Sequence, residues 1–392
     1  MTRRPRSSAP RFKPAFLAVI AMAAAALPAA ALPAAAQEAP LRIPILVPVT
    51  GFLSLEGTSQ RNGAVLAVRN APAGGPRIAS EVADTGTSPE VAVNALEKAL
   101  GDRDVVAVAA SMLGTQMLAM LPIALDRKVP LVTVSGTAQI TEMRNPYVFR
   151  FFPGDEIAKA AHARYVVQEL GKTRPAVIYQ TTAYGQGGRK QLDETFKQLG
   201  VTPVFEEGLD VSVKDYLPVL GKAMAANPDV LVLHLHAGPT ALIIRQAVAS
   251  GIKIPIVAGS AIHQPSTAAL LEPAELKGVC AETASSPVSG GSPEIDEFLR
   301  RYREAFGGAD PDAYALGQYD GVTMVLDAVA KGAKTPEAVR DALATGTYRG
   351  VAMTYKSDGK GNMAHSAEII CYDGTGRVPK VVKRYDNLDG AL

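Results

Sequence analysis

From residue 41 onward, the sequence alternates short apolar runs with longer stretches whose apolar residues recur at helical spacing. This alternation is typical of parallel βαβ units, in which a buried strand is followed by an amphipathic helix. In the first part of the chain it predicts one doubly wound sheet, with strands at 41–49, 77–84, 105–110 and 131–134 and helices at 58–70, 89–100 and 115–126.

The alternation restarts after an apolar run at 147–151 and predicts a second sheet of the same architecture. Its strands lie at 175–179, 202–209, 230–235, 254–258 and 279–284, and its helices at 155–170, 187–199, 214–226 and 240–250. A loop rich in Ser, Gly and Pro at 285–293 then indicates a crossing between domains. Three helices at 294–306, 313–331 and 336–345 follow, and strands at 368–372 and 378–385 form a hairpin around an Asp373-Gly374 turn. Such a tail indicates that the chain passes between the lobes more than once.

Residues 1–36 have the pattern of an export signal. Five basic residues and no acid precede an apolar, alanine-rich run at 16–32, and Ala34-Ala35-Ala36 provides a small-residue cleavage site. An uncleaved membrane anchor is the alternative, because the run approaches the ~18–20 residues of a spanning helix, but Pro28 and Pro33 interrupt it. No cysteine follows the site closely, so we expect no lipid anchor. We expect cleavage near Ala36 and a soluble protein in the periplasm.

Charge and cysteine content narrow the class of protein. The leader carries five of the 40 Lys and Arg residues and none of the 38 Asp and Glu residues, so the mature chain is slightly acidic. It lacks the basic stripe of a nucleic-acid-binding protein, and we predict no nucleic-acid partner. The two cysteines, Cys280 and Cys371, both lie in strand-like runs. A disulfide between them and two buried thiols are equally compatible with the sequence.

The sequence motifs of cofactor binding and catalysis are absent. No Gly-x-Gly-x-x-Gly follows the first strand, and the chain contains no P-loop, no Gly-x-Ser-x-Gly nucleophile elbow and no His-Glu-x-x-His zinc motif. His234 and His236 would share one face of a strand and could start a metal site, but no third ligand is evident nearby, so a polar cleft is favoured. We therefore predict no cofactor, no metal and no catalytic residue.

Small polar residues follow several of the predicted strands. In open α/β sheets, ligands bind beyond the carboxyl ends of the strands, where helix N-termini and hydroxyl groups suit a carboxylate. Helix capping is the alternative role for Ser, Thr and Gly at such positions. In the second half, an aromatic residue, two histidines and a serine occupy the equivalent places. The candidate ligand-binding residues are Ser111, Thr115, Ser135, Gly136, Thr137, Tyr184, His234, His236 and Ser260.

Six short segments, in this order and spacing, resemble the leucine/isoleucine/valine-binding family of periplasmic solute receptors. They are Ile-Leu-Val-Pro-Val-Thr-Gly at 45–51, Thr-Val-Ser-Gly-Thr at 133–137, Tyr-Val-Phe-Arg at 147–150, Ala-Tyr-Gly at 183–185, Ile-Ile-Arg-Gln-Ala at 243–247 and Ala-Leu-Gly-Gln-Tyr-Asp at 315–320. The resemblance spans about residues 40–390. It implies the type I periplasmic binding protein fold, an α/β fold of two doubly wound Rossmann-like lobes joined by three hinge crossings.

The resemblance also implies a division of the chain and a function. One lobe would comprise 37–152 and about 286–348, and the other 153–285 and about 349–392. The protein would be a monomeric ABC transporter receptor that closes on a small carboxylate or amino acid and delivers it to permease subunits in the inner membrane. A ligand-sensing subunit for a membrane kinase or chemoreceptor would share these features. An exported α/β hydrolase is disfavoured by the missing nucleophile elbow.

Within the family, first-lobe hydroxyls and backbone amides hold the ligand carboxylate. The corresponding groups here are the 111–115 turn, Ser135 and Thr137, with Tyr184 closing from the second lobe. Amino-acid-binding members also use an acid for the ligand ammonium, at the place that Ser260 occupies here.

The absence of that acid leaves two alternatives for the ligand, because a buried ammonium without a paired charge is costly. Either Glu56 or Asp155 reaches the amine, or the ligand is an aromatic or short aliphatic acid that has no amine. In the second case, His234 and His236 would supply neutral polar contacts. We favour the second alternative.

Overall fold

The structure is a computed structural model that describes residues 39–72 and 74–392. The predicted export signal at 1–36 lies outside the described residues. Within them, no helix combines the length and the apolar character needed to span a membrane.

The first lobe is built on a parallel sheet with helices on both faces. Its strands are short and mostly buried: β1 (Leu41–Arg42), β2 (Ile45–Val47), β3 (Ile78–Ala79), β4 (Val82–Asp84), β5 (Val108–Ala109), β6 (Leu131–Thr133) and β7 (Val148–Arg150). The central sheet has five strands in the order β4-β2-β5-β6-β7, all parallel, and β1 pairs with β3 beside it. The connecting helices are α1 (Ser54–Arg69), α2 (Pro89–Leu100), α3 (Gly114–Asp126) and α4 (Gln139–Glu142).

The second lobe repeats this plan around a larger sheet. Its parallel strands are β8 (Pro175–Gln180), β9 (Phe205–Leu209), β10 (Val230–His234), β11 (Ile256–Ala258) and β12 (Val279–Thr283). Its helices are α5 (Asp155–Arg164), which continues in a π-helical turn to Glu169, α6 (Ala183–Gln198), α7 (Leu217–Ala225), α8 (Ala237–Ala249) and α9 (Pro265–Ala268). Apolar side chains of the strands and of α7 and α8 form its main core.

The last part of the chain contributes to both lobes. The helices α10 (Pro293–Ala305), α11 (Ala313–Ala330) and α12 (Pro336–Thr345) return to the first lobe, followed by the hairpin β13 (Thr347–Arg349) and β14 (Thr354–Lys356). The strands β15 (Ala367–Cys371) and β16 (Lys380–Tyr385) then join the second sheet, whose order is β16-β15-β12-β11-β10-β8-β9. The chain thus passes between the lobes three times: between β7 and β8, between β12 and α11, and between β14 and β15.

Helix α11 holds the first lobe together because it is buried on nearly every side. It packs against α1 so closely that a Cβ on Gly63 would lie 2.0 Å from the carbonyl oxygen of Ala315. Only glycine permits this approach of the two backbones. The contact places the first turn of α11 at the boundary between the lobes.

The predicted fold class is confirmed, and the differences concern element boundaries and a few short elements that were not predicted. Helix α6 begins at Ala183 rather than at residue 187, because the Thr182 hydroxyl caps it by accepting a hydrogen bond from the Gly185 N–H. Helix α8 begins at Ala237 rather than at residue 240. The hairpin β13–β14 was not predicted from the sequence.

The position of the third crossing bears on the predicted lobe division. Tyr355, Met363 and Ala364 pack in the core of the first lobe, whereas Ala367 and Ile369 pack in the second. The division near residue 349 stays a prediction, and this packing favours a boundary nearer to residue 365.

A disulfide joins Cys280 to Cys371, which resolves the alternative that the sequence left open. The two residues are register partners on the antiparallel strands β12 and β15, with their Cα atoms 4.0 Å apart. The Tyr165 hydroxyl contacts both sulfur atoms, at 3.6 Å and 3.3 Å. The bond links positions separated by 91 residues in the sequence.

We expect reduction of this disulfide to lower the free energy of unfolding by about 2–5 kcal/mol, because the cross-link restricts the unfolded chain. Guanidinium unfolding of the mature protein with and without a reductant measures the change. The variant Cys280→Ala/Cys371→Ala is the control, since its stability should match that of the reduced protein and should not respond to reductant. A difference below about 0.5 kcal/mol between oxidised and reduced protein contradicts this role.

Candidate ligand-binding site

A cavity lies between the two lobes at the carboxyl ends of the parallel strands. The space between the lobes at this point, counted out to its opening, is about 390 Å³. Segments that follow β2, β5, β6 and β7 of the first sheet and β8, β10 and β11 of the second contribute to it. The lining residues are Leu53, Glu56, Met112, Gly114, Gly136, Phe152, Tyr184, Leu235, His236, Ser260, Ala261 and Tyr314.

Four of the predicted ligand-binding residues line this cavity: Gly136, Tyr184, His236 and Ser260. Tyr184 lies in the first turn of α6, and its hydroxyl is 3.4 Å from the Ser260 hydroxyl. His236 is the residue before α8, and its Nε2 is 3.3 Å from the Thr182 hydroxyl. Burial lowers the pKa of His236 to about 4, so its imidazole is neutral at pH 7.

Ser135 and Thr137 flank the lining residue Gly136 and are almost completely buried. Neither hydroxyl has a hydrogen-bond partner. The Thr137 hydroxyl lies over Gly114, where a Cβ would come within 2.0 Å of its oxygen. Arg150 fixes this loop, because its Nη1 donates to the carbonyl oxygens of Gly136 (3.2 Å) and Thr137 (2.9 Å). The unpaired Thr137 hydroxyl therefore lies beside the N-terminus of α3. Ser135 and Thr137 are not themselves among the residues that line the cavity.

Ser111 and His234 lie one layer behind the cavity wall. The Ser111 hydroxyl donates to Gln116 Oε1 at 2.6 Å and accepts from the Leu113 N–H at 3.1 Å, so it is already paired within the loop. His234 packs under Tyr184, with ring centroids 4.0 Å apart, and its Nε2 donates to the Tyr184 carbonyl oxygen at 3.0 Å. Burial holds the pKa of His234 well below its usual value.

Thr115 is half-buried in the first turn of α3 and is not among the residues that line the cavity. Within the described residues, no group of three His, Cys, Asp or Glu side chains is arranged to hold a metal ion.

Of the two acids considered as partners for a ligand ammonium, Glu56 lines the cavity. It lies in the first turn of α1 and is 2% exposed. Its Oε1 accepts a hydrogen bond from the N–H of Ala237 in the second lobe at 2.8 Å, and its Oε2 has no partner. Burial raises the pKa of Glu56 to about 7, although the hydrogen bond from Ala237 acts in the opposite direction.

The other acid, Asp155, is buried behind the cavity rather than in its wall. Its backbone N–H donates to the Gly136 carbonyl oxygen at 2.7 Å, and its Oδ1 is 3.9 Å from His234 Nε2. Burial raises the pKa of Asp155 well above its usual value. This position makes Asp155 a support for the Gly136 loop.

A buried charge cluster under Ser260 was not predicted from the sequence. Lys159 and His162 on α5 both bind the carboxylate of Glu282 on β12, with His162 Nδ1 3.0 Å from Glu282 Oε2. Burial opposes ionisation of Glu282, but the Lys159 charge and the His162 hydrogen bond lower its pKa below the usual value. Glu282 Oε1 also accepts the Ser260 N–H at 3.0 Å. The available sequence signal for this cluster was Glu282, an acidic residue inside a mostly apolar strand.

Contacts between the lobes surround the N-terminus of α11, and sequence reasoning also missed these. Gln264 Nε2 donates to Asp312 Oδ2 at 2.6 Å, and the Ala313 N–H donates to His263 Nε2 at 3.0 Å. The Tyr314 hydroxyl is hydrogen-bonded to the Ser260 hydroxyl at 2.9 Å. The lobes are therefore in contact across the cleft beside the cavity.

Comparison with protein families identifies the class of protein that has this fold and site. The family model described as periplasmic binding protein matches residues 40–372. A Leu/Ile/Val-binding protein homologue from Brucella suis is 26% identical over 313 residues, which cover 78% of this chain and 82% of the relative. The chain therefore belongs to the periplasmic binding protein family, in its leucine/isoleucine/valine-binding group.

Solved structures show the same fold. A branched-chain amino acid transporter substrate-binding protein from Streptococcus pneumoniae, in complex with isoleucine, has a TM-score of 0.79 at 24% identity and covers 88% of this chain and 100% of its own. A solute-binding protein of an ABC transporter from Rhodopseudomonas palustris, in complex with 3,4-dihydroxybenzoic acid, has a TM-score of 0.81 at 20% identity, with 90% and 99% covered. At these identities, the likeness to the two solved structures shows a shared fold.

We expect Lys159→Met to lower the free energy of unfolding by about 3–5 kcal/mol, because it leaves Glu282 buried without its cation. Chemical denaturation at pH 7 measures the loss. Lys331→Met is the matched control, since Lys331 pairs with Asp327 on the surface of α11 and its side chain is 74% exposed. That control should change stability by less than about 0.5 kcal/mol. Equal, small effects of the two substitutions would contradict a structural role for the cluster.

Proposed function

We propose that the protein binds a small carboxylate-bearing molecule between its two lobes and delivers it to permease subunits of an ABC transporter in the inner membrane. The observation that carries the proposal is the pair of buried, unpartnered hydroxyls of Ser135 and Thr137 on either side of the lining residue Gly136, with that of Thr137 beside the N-terminus of α3. Hydroxyl donors and the positive end of a helix dipole together favour a carboxylate. The cavity wall next to them is largely apolar, which suits the carbon skeleton of such a ligand.

The two solved relatives bind molecules of this class, since one holds isoleucine and the other 3,4-dihydroxybenzoic acid. Both ligands carry a carboxylate, and only isoleucine carries an amine. The family resemblance therefore supports a carboxylate ligand for this chain and leaves the amine open.

Lobe closure follows from the position of the site. The cavity wall combines Glu56, Gly136 and Phe152 with Tyr184 and Ser260 from across the cleft. A ligand that touches both sides stabilises the closed arrangement by its differential affinity for that state. The closed form is the species that would dock on the permease. Export of the chain, with removal of the leader at 1–36 near Ala36, would precede ligand binding.

A thermal-shift screen of the mature protein against amino acids and against aromatic and short aliphatic acids tests the proposal. A true ligand raises the midpoint of unfolding, because it binds only the folded protein. We expect at least one carboxylate to do so. No shift with any member of these classes would contradict the proposed function.

We expect Ser135→Ala/Thr137→Ala to weaken binding of the carboxylate found in the screen by about 100-fold or more, because it removes two charge-assisted hydrogen bonds. Isothermal calorimetry measures the affinity. Ser250→Ala/Thr345→Ala is the control, since those exposed hydroxyls donate to carbonyls of their own helices and should leave affinity unchanged. Unchanged affinity in the Ser135/Thr137 variant would remove these residues from the site.

A further inference from the structure

Glu56 brings a carboxylate into a cavity that offers it only one partner. Its Oε1 accepts the Ala237 N–H at the start of α8, while its Oε2 is buried and unpaired. A buried carboxylate oxygen without a partner costs free energy. Glu56 Oε2 is therefore a strong acceptor that a ligand can satisfy.

We propose that Glu56 determines which acids the protein binds, because its free oxygen accepts a hydrogen bond from a positively charged nitrogen of the ligand. The ligand would then carry an ammonium group in addition to its carboxylate. This inference rests on the proposed function, since it concerns the second polar end of the same ligand. The acid comes from the first lobe, whereas Ser260 in the second lobe occupies the place expected for it from the family resemblance.

The charges around Glu56 support this choice. No Lys or Arg is among the residues that line the cavity in the described part of the chain. Asp312, which caps the N-terminus of α11, adds negative charge, and Tyr314 in the first turn of α11 is neutral. His236, the residue before α8, is neutral because burial lowers its pKa to about 4. The N–H groups of Ala237 at the start of α8 and of Glu56 itself oppose this negative potential at the carboxylate. The site therefore favours a cation and disfavours a second anion.

Proton linkage distinguishes an ammonium ligand from an amine-free acid. With a pKa of about 7, about half of the Glu56 carboxyl groups are protonated at pH 7 before a ligand binds. A bound ammonium favours the ionised form and lowers that pKa, so binding releases up to about half a proton per ligand. An amine-free ligand excludes water without supplying a donor, raises the pKa, and takes up protons.

The experiment compares matched ligands by calorimetry at pH 7 in phosphate and in Tris buffer. The pairs are leucine with 4-methylpentanoic acid, and phenylalanine with 3-phenylpropanoic acid, in which each acid lacks only the amine. We expect the amine-bearing member of a pair to bind at least 10-fold more tightly, with proton release. Tighter binding of the amine-free member, or proton uptake on binding the amino acid, would overturn the inference.

The variant Glu56→Gln keeps the size of the side chain and the acceptor for Ala237 but removes the charge. We expect it to weaken binding of the amino acid by about 10- to 100-fold and to abolish the proton release. Glu337→Gln, at an exposed glutamate in the first turn of α12, should change neither quantity. If Glu56→Gln folds poorly, the number of protons that the wild-type protein releases or takes up on binding the amino acid still tests the role of Glu56.

The outcomes separate this inference from the proposed function. Binding of neither member of any pair, together with a negative thermal-shift screen, would contradict the proposed function and the role of Glu56 with it. Preferred binding of amine-free acids that is lost in Ser135→Ala/Thr137→Ala would support the proposed function and overturn the role of Glu56 alone.

Discussion

The hydrogen bonds that cross the cleft determine the shape of the binding cavity. Gln264 and His263 of the second lobe bind Asp312 and the Ala313 N–H at the start of α11. These groups are buried, and separating them without admitting water would leave each one unpaired at a cost of about 1–3 kcal/mol. Because the cavity wall is formed by both lobes, its enclosure depends on these contacts. Helix α11 can supply them only because its close packing on α1 fixes its first turn at the lobe boundary.

The wall of the cavity is largely apolar, but some buried polar groups beside it have no hydrogen-bond partner. Most buried polar groups in folded proteins are paired, so unpaired ones beside a cavity indicate what a ligand supplies. Here they have opposite character: the hydroxyls of Ser135 and Thr137 can donate, whereas Glu56 Oε2 can only accept when ionised. A molecule with an acceptor at one end and a donor at the other would satisfy both. These unpaired groups therefore favour an amine-bearing ligand over the amine-free acid that the sequence alone suggested.

Local signals in the sequence predicted much of the fold but only part of the site. Helix α2 was predicted with both ends correct because Ser88 and Pro89 mark its start, whereas the start of α6 depends on a cap by Thr182 that the glycine-rich sequence obscured. The rule that ligands bind at strand ends located Gly136 and Ser260, but it does not give the direction of a side chain. For this reason, the sequence could not show that the side chains of Ser111 and His234 lie behind the cavity wall. The pairing of Lys159 with Glu282 joins positions too far apart in sequence for any local pattern to predict.

The Cys280–Cys371 disulfide also has a mechanical consequence for movement of the lobes. Strand β12 leads into the second crossing and β15 follows the third, with Thr283 directly opposite Glu368. The cross-link turns everything between the two cysteines, including α10 to α12, into a covalent ring anchored at one spot on the second lobe. Two of the three connecting segments therefore cannot slide past each other where they leave that sheet. The lobes can then rotate relative to each other only by bending of the crossing segments, because the disulfide fixes where two of those segments leave the second sheet.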